Sequence, residues 1–263
     1  VIAAAARRAG SLTGSGQWAA FVVGTAATAA GWAWSLLLIA YFVASSALTR
    51  FGHATKAERT ASTLPDIRGR NAVQVFANGG VFAAAVLTGS FVGDAAGQES
   101  ATRLAWQVAG LGALAAAAAD TWATEIGTLW GGTPRLLLSG RPVPPGVSGG
   151  MTLAGSGASV VAAALIAMAA RVILGEAAPA GSVARAVFLG GVVGSLFDSL
   201  LGATLQSKRW CERCRTWTER RVHTCQYRTQ HARGLRWMTN DTVNFLATVG
   251  GALVALLLVD ALS

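Results

Sequence analysis

The chain has 263 residues, of which 53% are hydrophobic and only 13% charged. A soluble domain of this length carries about a quarter charged residues, and no amphipathic outer face is available here to meet water, which excludes a large soluble helical protein. A net charge of +9 would suggest nucleic acid in a soluble chain, but a positive-inside bias accounts for it better, and no nucleic-acid partner is expected.

The charges are bunched. Residues 36–49, 73–90, 104–119, 151–170, 187–197 and 242–259 contain none, and several of these runs reach or approach the ~20 residues that cross a hydrocarbon core. Ala and Gly dominate them, as suits helices that pack closely in lipid. Membrane segments are predicted near 17–49, 73–93, 104–130, 151–174, 185–206 and 242–262. The first is too long for one simple span. It either breaks at Gly31-Trp32 or runs as one tilted helix. The expectation is all-α: a polytopic transmembrane helix bundle with six or seven membrane-spanning helices, a single transmembrane domain over 1–263. At the N-terminus the basic pair Arg7-Arg8 follows an apolar run. That reads as the tail of a truncated helix and not as a signal peptide.

Loops at 50–72, 131–150 and 207–240 carry five, two and nine of the 21 Lys/Arg. Alternate loops share a side, so these three are expected in the cytoplasm and the C-terminus outside. The protein is expected to be a multi-pass protein of the cell membrane, with its active site on the cytoplasmic side.

Polar motifs fall at this same face, in chain order. Arg68, Arg70 and Asn71 precede Gln74 and Asn78, which lie four apart on one helix face. Guanidinium and amide groups at a helix N-terminus make a phosphate site without a carboxylate; a capped helix with anchoring arginines is the plainer alternative. Next, Asp120, Thr121, Thr124 and Glu125 follow a run of alanines. Positions 120 and 124 share a helix face, as do 121 and 125. Intramembrane carboxylates are costly and need a reason. Hard oxygen ligands suit Mg2+, which often binds through one or two carboxylates plus substrate phosphates. The alternative is a helix end where carboxylates meet water. A Pro/Gly-rich loop then runs through Ser148-Gly149-Gly150 into an apolar helix. Its backbone amides suit phosphate, although it lacks the P-loop pattern and reads equally well as a turn.

Asp198 stands in an otherwise apolar span, with Ser199, Gly202 and Gln206 at helical spacings. Asn240, Asp241 and Asn244 open the last helix, where capping alone explains the first two. The 207–240 loop is basic, cytoplasmic and holds all three cysteines. Cys211, Cys214, His223 and Cys225 supply four soft ligands within 15 residues, enough for a structural Zn2+ site; free thiols in a basic loop are the alternative. A cytoplasmic disulfide is disfavoured, and the basic residues would attract anionic membrane lipids.

Taken together the motifs resemble one family of integral membrane proteins, which contains the plant and cyanobacterial phytyl-phosphate kinases and the transmembrane protein 19 group. The resembling residues are Thr13 with Ser15-Gly16; Ser45-Ser46, Thr49-Arg50 and Lys56; Gln74 with Asn78-Gly79-Gly80; Asp120-Thr121, Thr124-Glu125 and Gly127; Ser148-Gly149-Gly150; Asp198-Ser199 with Gly202; and Asn240-Asp241, Val243-Asn244. They extend from about residue 12 to 250. The resemblance implies a kinase that uses CTP, or another nucleoside triphosphate, to convert an isoprenoid monophosphate lipid into the diphosphate. It suggests Asp120 and Glu125 for the site, with Gln74 and Asn78 beside them. On that reading Asp120, Glu125 and Asp198 hold Mg2+ and Lys56, Arg68 and Arg70 neutralise phosphate oxygens. A transporter or flippase for a lipid phosphate or ion is the competing expectation, since intramembrane carboxylates and Gly-broken helices suit carriers too.

Overall fold

The computed structural model describes residues 1–64, 69–92, 99–175 and 180–262. Helices α1 (Ile2–Arg8), α2 (Gly14–Ala30), α3 (Trp32–Arg50) and α4 (His53–Thr60) come first. The main bundle follows with α5 (Ala72–Val92), α6 (Glu99–Trp130), α7 (Leu153–Leu174), α8 (Ala180–Thr204) and α9 (Asn240–Leu262). Short strands β1 (Arg135–Leu136) and β2 (Gly150–Met151) pair in the α6–α7 connection. Strands β3 (Lys208–Cys211), β4 (Thr216–Thr218) and β5 (Gln230–Arg233) form an antiparallel sheet of order β4-β3-β5 between α8 and α9.

Among the described residues five helical stretches are long and apolar enough to cross a membrane: Trp32–Arg50, Ala72–Val92, Leu153–Leu174, Gly181–Thr204 and Asn240–Val259. This is a mostly helical membrane protein, and the count stands at five against the six or seven expected. The long first segment is two helices. Gly31 breaks it at φ 141°, ψ 152°, a conformation that only glycine adopts without strain, which leaves α2 with 17 residues. The all-α expectation also missed the β3–β5 sheet, whose strands are too short and too charged to show an alternating pattern.

The centre of the bundle is α6, whose 32 residues reach about 48 Å at the helical rise. It packs against α5, α7, α8 and α9, and Val108, Leu111, Leu114, Ala115 and Ala119 are completely buried. Small residues set the approach. A Cβ on Gly251 of α9 would lie 2.7 Å from the Ala116 Cβ and 2.8 Å from the Gly112 carbonyl oxygen of α6, so the backbones nearly touch. Packing of this kind, with no hydrophobic drive between helices, is how helices associate in lipid. The outer faces are apolar instead of charged: Trp18, Phe21, Leu36, Val172 and Leu257 are all exposed.

Candidate functional site

One end of the bundle is built from polar helix termini. The start of α5, the last turns of α6, the start of α7, the end of α8 and the start of α9 surround one cavity of about 980 Å³. The ends of the segment before α2 and of α3 complete its wall through Ser11, Thr49 and Arg50. Arg70, Gln74, Asn78, Asp120, Thr121, Thr124, Glu125, Ser148, Gly149, Gly150, Asp198, Asp241 and Asn244 all line it. Lys56 lies outside the lining, and Arg68 lies outside the described residues.

Three carboxylates from separate parts of the chain converge. Asp198 on α8 is close enough to Asp120 on α6 and to Glu219, just beyond β4, for their charges to act on it. Glu219 in turn feels Asp241 at the start of α9. Asn244, one turn into α9, sets one end of its side-chain amide 3.0 Å from Asp198 Oδ2 and 3.1 Å from the Asn240 carbonyl; both neighbours are acceptors, so the nitrogen is assigned to that end, as the donor. One Asp198 oxygen is thus held in place.

Lys56 and Glu125 meet each other at this end of the bundle. Lys56 Nζ donates to the Leu48 and Thr49 carbonyls at 2.6 and 2.9 Å and to Glu125 Oε2 at 2.5 Å. An ammonium group has three protons, so none is left for a phosphate. Thr49 Oγ1 donates to Glu125 Oε1 at 2.6 Å, which engages the other carboxylate oxygen. The end of α3, the short α4 and the last turns of α6 are thereby locked together. Arg59 extends the lock, donating to the Leu129 carbonyl in the last turn of α6 and to the Gly132 carbonyl just past it.

Gln74 closes a reciprocal cap on α5. Asn71 N donates to Gln74 Oε1 and Gln74 N donates to Asn71 Oδ1, both at 3.1 Å, which satisfies two of the four orphan donors of a helix start. Asn78 Nδ2 donates back to the Gln74 carbonyl at 2.9 Å. Arg70 is fixed through its backbone, which bridges to the segment before α2, and its guanidinium lies 5.6 Å from the centre of the Phe42 ring.

The Gly-rich loop is held from above. A Cβ on Gly149, at φ +80°, would lie 2.3 Å from the Ala203 nitrogen at the end of α8, so this glycine is demanded by packing as well as by backbone angle. Ser148 Oγ donates to Glu219 Oε1 at 2.5 Å, Gln206 Nε2 donates to the same oxygen at 2.9 Å, and Lys208 Nζ donates to the Ser148 carbonyl at 2.8 Å. Burial raises the Glu219 carboxyl above the ordinary carboxylate range, against the Ser148 hydrogen bond and the Lys208 charge. Burial lowers Lys208 to about 8, with Arg233 adding to the shift and Glu219 opposing it. Sequence reading passed over Glu219. The available signal was chemical: it is one of only two acids, with Glu212, in a loop of nine Lys/Arg.

Away from the cavity, Cys211, Cys214, His223 and Cys225 gather their ligand atoms within 4.8 Å of one another. The His223 hydrogen bond lowers the Cys225 thiol, while sharing with Cys225 raises that of Cys214.

Comparison with known proteins accords with this architecture. The chain is 34% identical to Protein PGR of Arabidopsis thaliana, over 76% of its own length and 74% of that protein's. It is 29% identical to Protein VTE6, chloroplastic, of the same plant, over 94% of its own length and 65% of that protein's. It is also 24% identical to an uncharacterized membrane protein of Methanocaldococcus jannaschii, over 87% of its own length and 77% of that protein's. No solved structure matches it significantly. The family described as integral membrane protein DUF92 matches residues 1–252. The chain belongs to that family, the group to which its motifs pointed.

Proposed function

We propose that this protein is a membrane-embedded isoprenoid monophosphate kinase. It transfers the γ-phosphoryl group of CTP to a phytyl or polyprenyl monophosphate, giving the isoprenoid diphosphate and CDP. The observation that carries the reading is the meeting of Asp120, Asp198, Glu219 and Asp241 with Arg70 and the Asn71–Asn78 amides around one cavity of about 980 Å³ at the end of an apolar bundle. That volume is at the upper end of the about 300–1,000 Å³ typical of ligand pockets, and two phosphorylated substrates need it. The resemblance to phytyl-phosphate kinases supplies the reaction class, and the relative named VTE6 supports it.

In the reaction, an oxygen of the acceptor phosphate attacks the γ-phosphorus. The bond from that phosphorus to the β-bridging oxygen breaks, and its electron pair leaves with CDP. The acceptor is already an anion, so a strong base is hardly needed, and catalysis consists of alignment and charge screening. Arg70, with Arg68 two residues earlier in the chain, screens phosphate oxygens. Asn78 and Asn244 orient the reactants, and the Ser148–Gly150 backbone lies along them. The carboxylate, amide and hydroxyl oxygens of the wall fit Mg2+. Asp120 and Asp198 would hold it, and it would supply positive charge to screen the phosphates. Glu125, tied to Lys56, steadies this end of α6. The isoprenoid tail lies among the apolar helices. In this reading α2 and α6 also cross, giving seven spans, and the cavity opens to the cytoplasm on the side of the basic loops.

Purified protein incubated with labelled CTP, Mg2+ and geranylgeranyl or phytyl phosphate should yield labelled diphosphate, with ATP run in parallel. Passage of the lipid phosphate across liposomes with CTP unconsumed would replace the kinase by a carrier.

A further inference from the structure

The 207–240 segment is small, and it brings all three cysteines and His223 together beside its sheet. Three short strands supply the sheet, and Cys211 at the end of β3 is fully buried, as is most of His223. A unit this small normally needs a disulfide or a metal to hold its shape.

The geometry favours the metal. Cys211 Sγ and Cys225 Sγ stand 3.6 Å apart, far beyond the about 2.05 Å of a disulfide bond. Two thiolates on one tetrahedral Zn2+, each bonded at about 2.3 Å, stand about 3.8 Å apart. His223 Nδ1 is 3.3 Å from Cys225 Sγ, so the ring nitrogen joins the same cluster. The backbone repeats the arrangement at both ends. Arg215 and Gln226 are the two non-glycine residues with positive φ among the described residues, at 49° and 64°, and each directly follows a cysteine, Cys214 or Cys225. A left-handed residue of this kind is unfavourable for a side chain with a Cβ and persists where the surroundings over-determine it. Each turn closes one half of a four-ligand knuckle: Cys211 with Cys214, and His223 with Cys225.

We propose that Cys211, Cys214, His223 and Cys225 bind one structural Zn2+, and that this metal fixes the β3–β4 hairpin that sets Glu219 at the cavity. Four protein ligands leave no open position, so the metal is structural. Three thiolates, one neutral imidazole and Zn2+ carry one net negative charge, which suits the surrounding arginines. The hairpin connects the metal to the cavity. Its first strand begins at Lys208, bonded to the Ser148 carbonyl. Its second ends at Thr218 and Glu219, which both donate to the Thr63 carbonyl, at 3.0 and 2.8 Å.

The test is metal content and loop protection in the full-length protein purified in detergent. Wild type should carry about one zinc per chain, and Cys214→Ser and Cys225→Ser should each lose most of it. Because such variants can fail to fold, wild type is also chelated and titrated with Co2+. The expected signature is tetrahedral d–d absorption with thiolate-to-cobalt charge transfer, abolished by added Zn2+. Chelation should also speed protease cleavage within 207–240 at least ~10-fold, reversed by Zn2+. Zinc well below one per chain together with no cobalt spectrum, or cysteines recovered as a disulfide, overturns the site. Bound zinc whose removal leaves cleavage unchanged overturns its bracing role. These readouts do not involve CTP, so their failure is distinct from failure of the kinase reading.

Discussion

Lys56 Nζ lies 2.5 Å from Glu125 Oε2, joining α4 to α6 across 69 residues of chain, with both side chains less than a fifth exposed. A pair removed from water is costly to break because the surviving charge is left unpaired. Lys56→Met should therefore lower stability by about 3 kcal/mol, read as a fall in the thermal midpoint in detergent. The double variant Lys56→Met/Glu125→Gln should regain much of the loss. A double variant as unstable as the single one would show that the Leu48 and Thr49 carbonyls, and not Glu125, are what Lys56 serves.

Asp120 and Glu125 are separable by the same logic. Asp120→Asn or Asp198→Asn should reduce kcat about 10³-fold with an unchanged melting temperature. Glu125→Gln should cost stability first, because both Glu125 oxygens are engaged by protein donors. Activity assays beside thermal melts separate the two outcomes. Full turnover in Asp120→Asn would remove its proposed role as metal ligand.

The helices were largely legible in the sequence because lipid imposes a simple rule. The charge-free runs at 73–90 and 151–170 became α5 and α7 within a few residues, and Gly31 did divide the overlong first segment. Partner choice was not legible. Nothing in the spacing of Lys56 says that its three protons go to Leu48, Thr49 and Glu125, because that depends on how α4 folds back onto α6. Glu219 was missed for a related reason. It reaches the cavity from a loop whose strands show no periodicity, through contacts with Ser148 and Gln206 that are distant in sequence.

Gly149→Ala should be strongly destabilising while Gly150→Ala is milder. The added methyl at 149 meets backbone at 2.3 Å in a left-handed conformation, whereas at 150 the nearest atoms stand at 3.0 Å or more. Overpacking typically costs about 1–3 kcal/mol and the left-handed angle about 1 more. The order of the two thermal midpoints is the measurement. Equal midpoints would mean that the loop moves off α8 freely.

Lys208 gives a pH dependence of defined sign. Its folded value is lowered to about 8 by burial, with Arg233 adding to the shift and Glu219 opposing it. Between that value and the ordinary lysine range the unfolded chain binds the extra proton, so stability rises with pH across this window. Glu219 is shifted upward, so its contribution falls as pH rises above the ordinary carboxylate range. Melting curves of wild type and Lys208→Met, taken from pH 7 to 10, should show wild type gaining on the variant above about pH 8. A constant difference between the two would place Lys208 in water.

Asn244 tests whether Asp198 must be held in one orientation. Its amide nitrogen donates to Asp198 Oδ2 at 3.0 Å, leaving the other oxygen for a ligand. Asn244→Ala removes the restraint and should lower kcat about 10-fold by loosening the carboxylate. Asn244→Asp replaces a donor by a second negative charge at the same distance. Two carboxylates this close do not both ionise readily, so one oxygen pair would share a proton and Asp198 would lose the charge with which it would hold Mg2+. The aspartate variant should therefore be more impaired than the alanine variant, and its activity should recover partly as pH is raised and that proton leaves. Steady-state kinetics of both variants across pH decide the matter. An aspartate variant at least as active as the alanine variant would mean that Asp198 does not work as an anion.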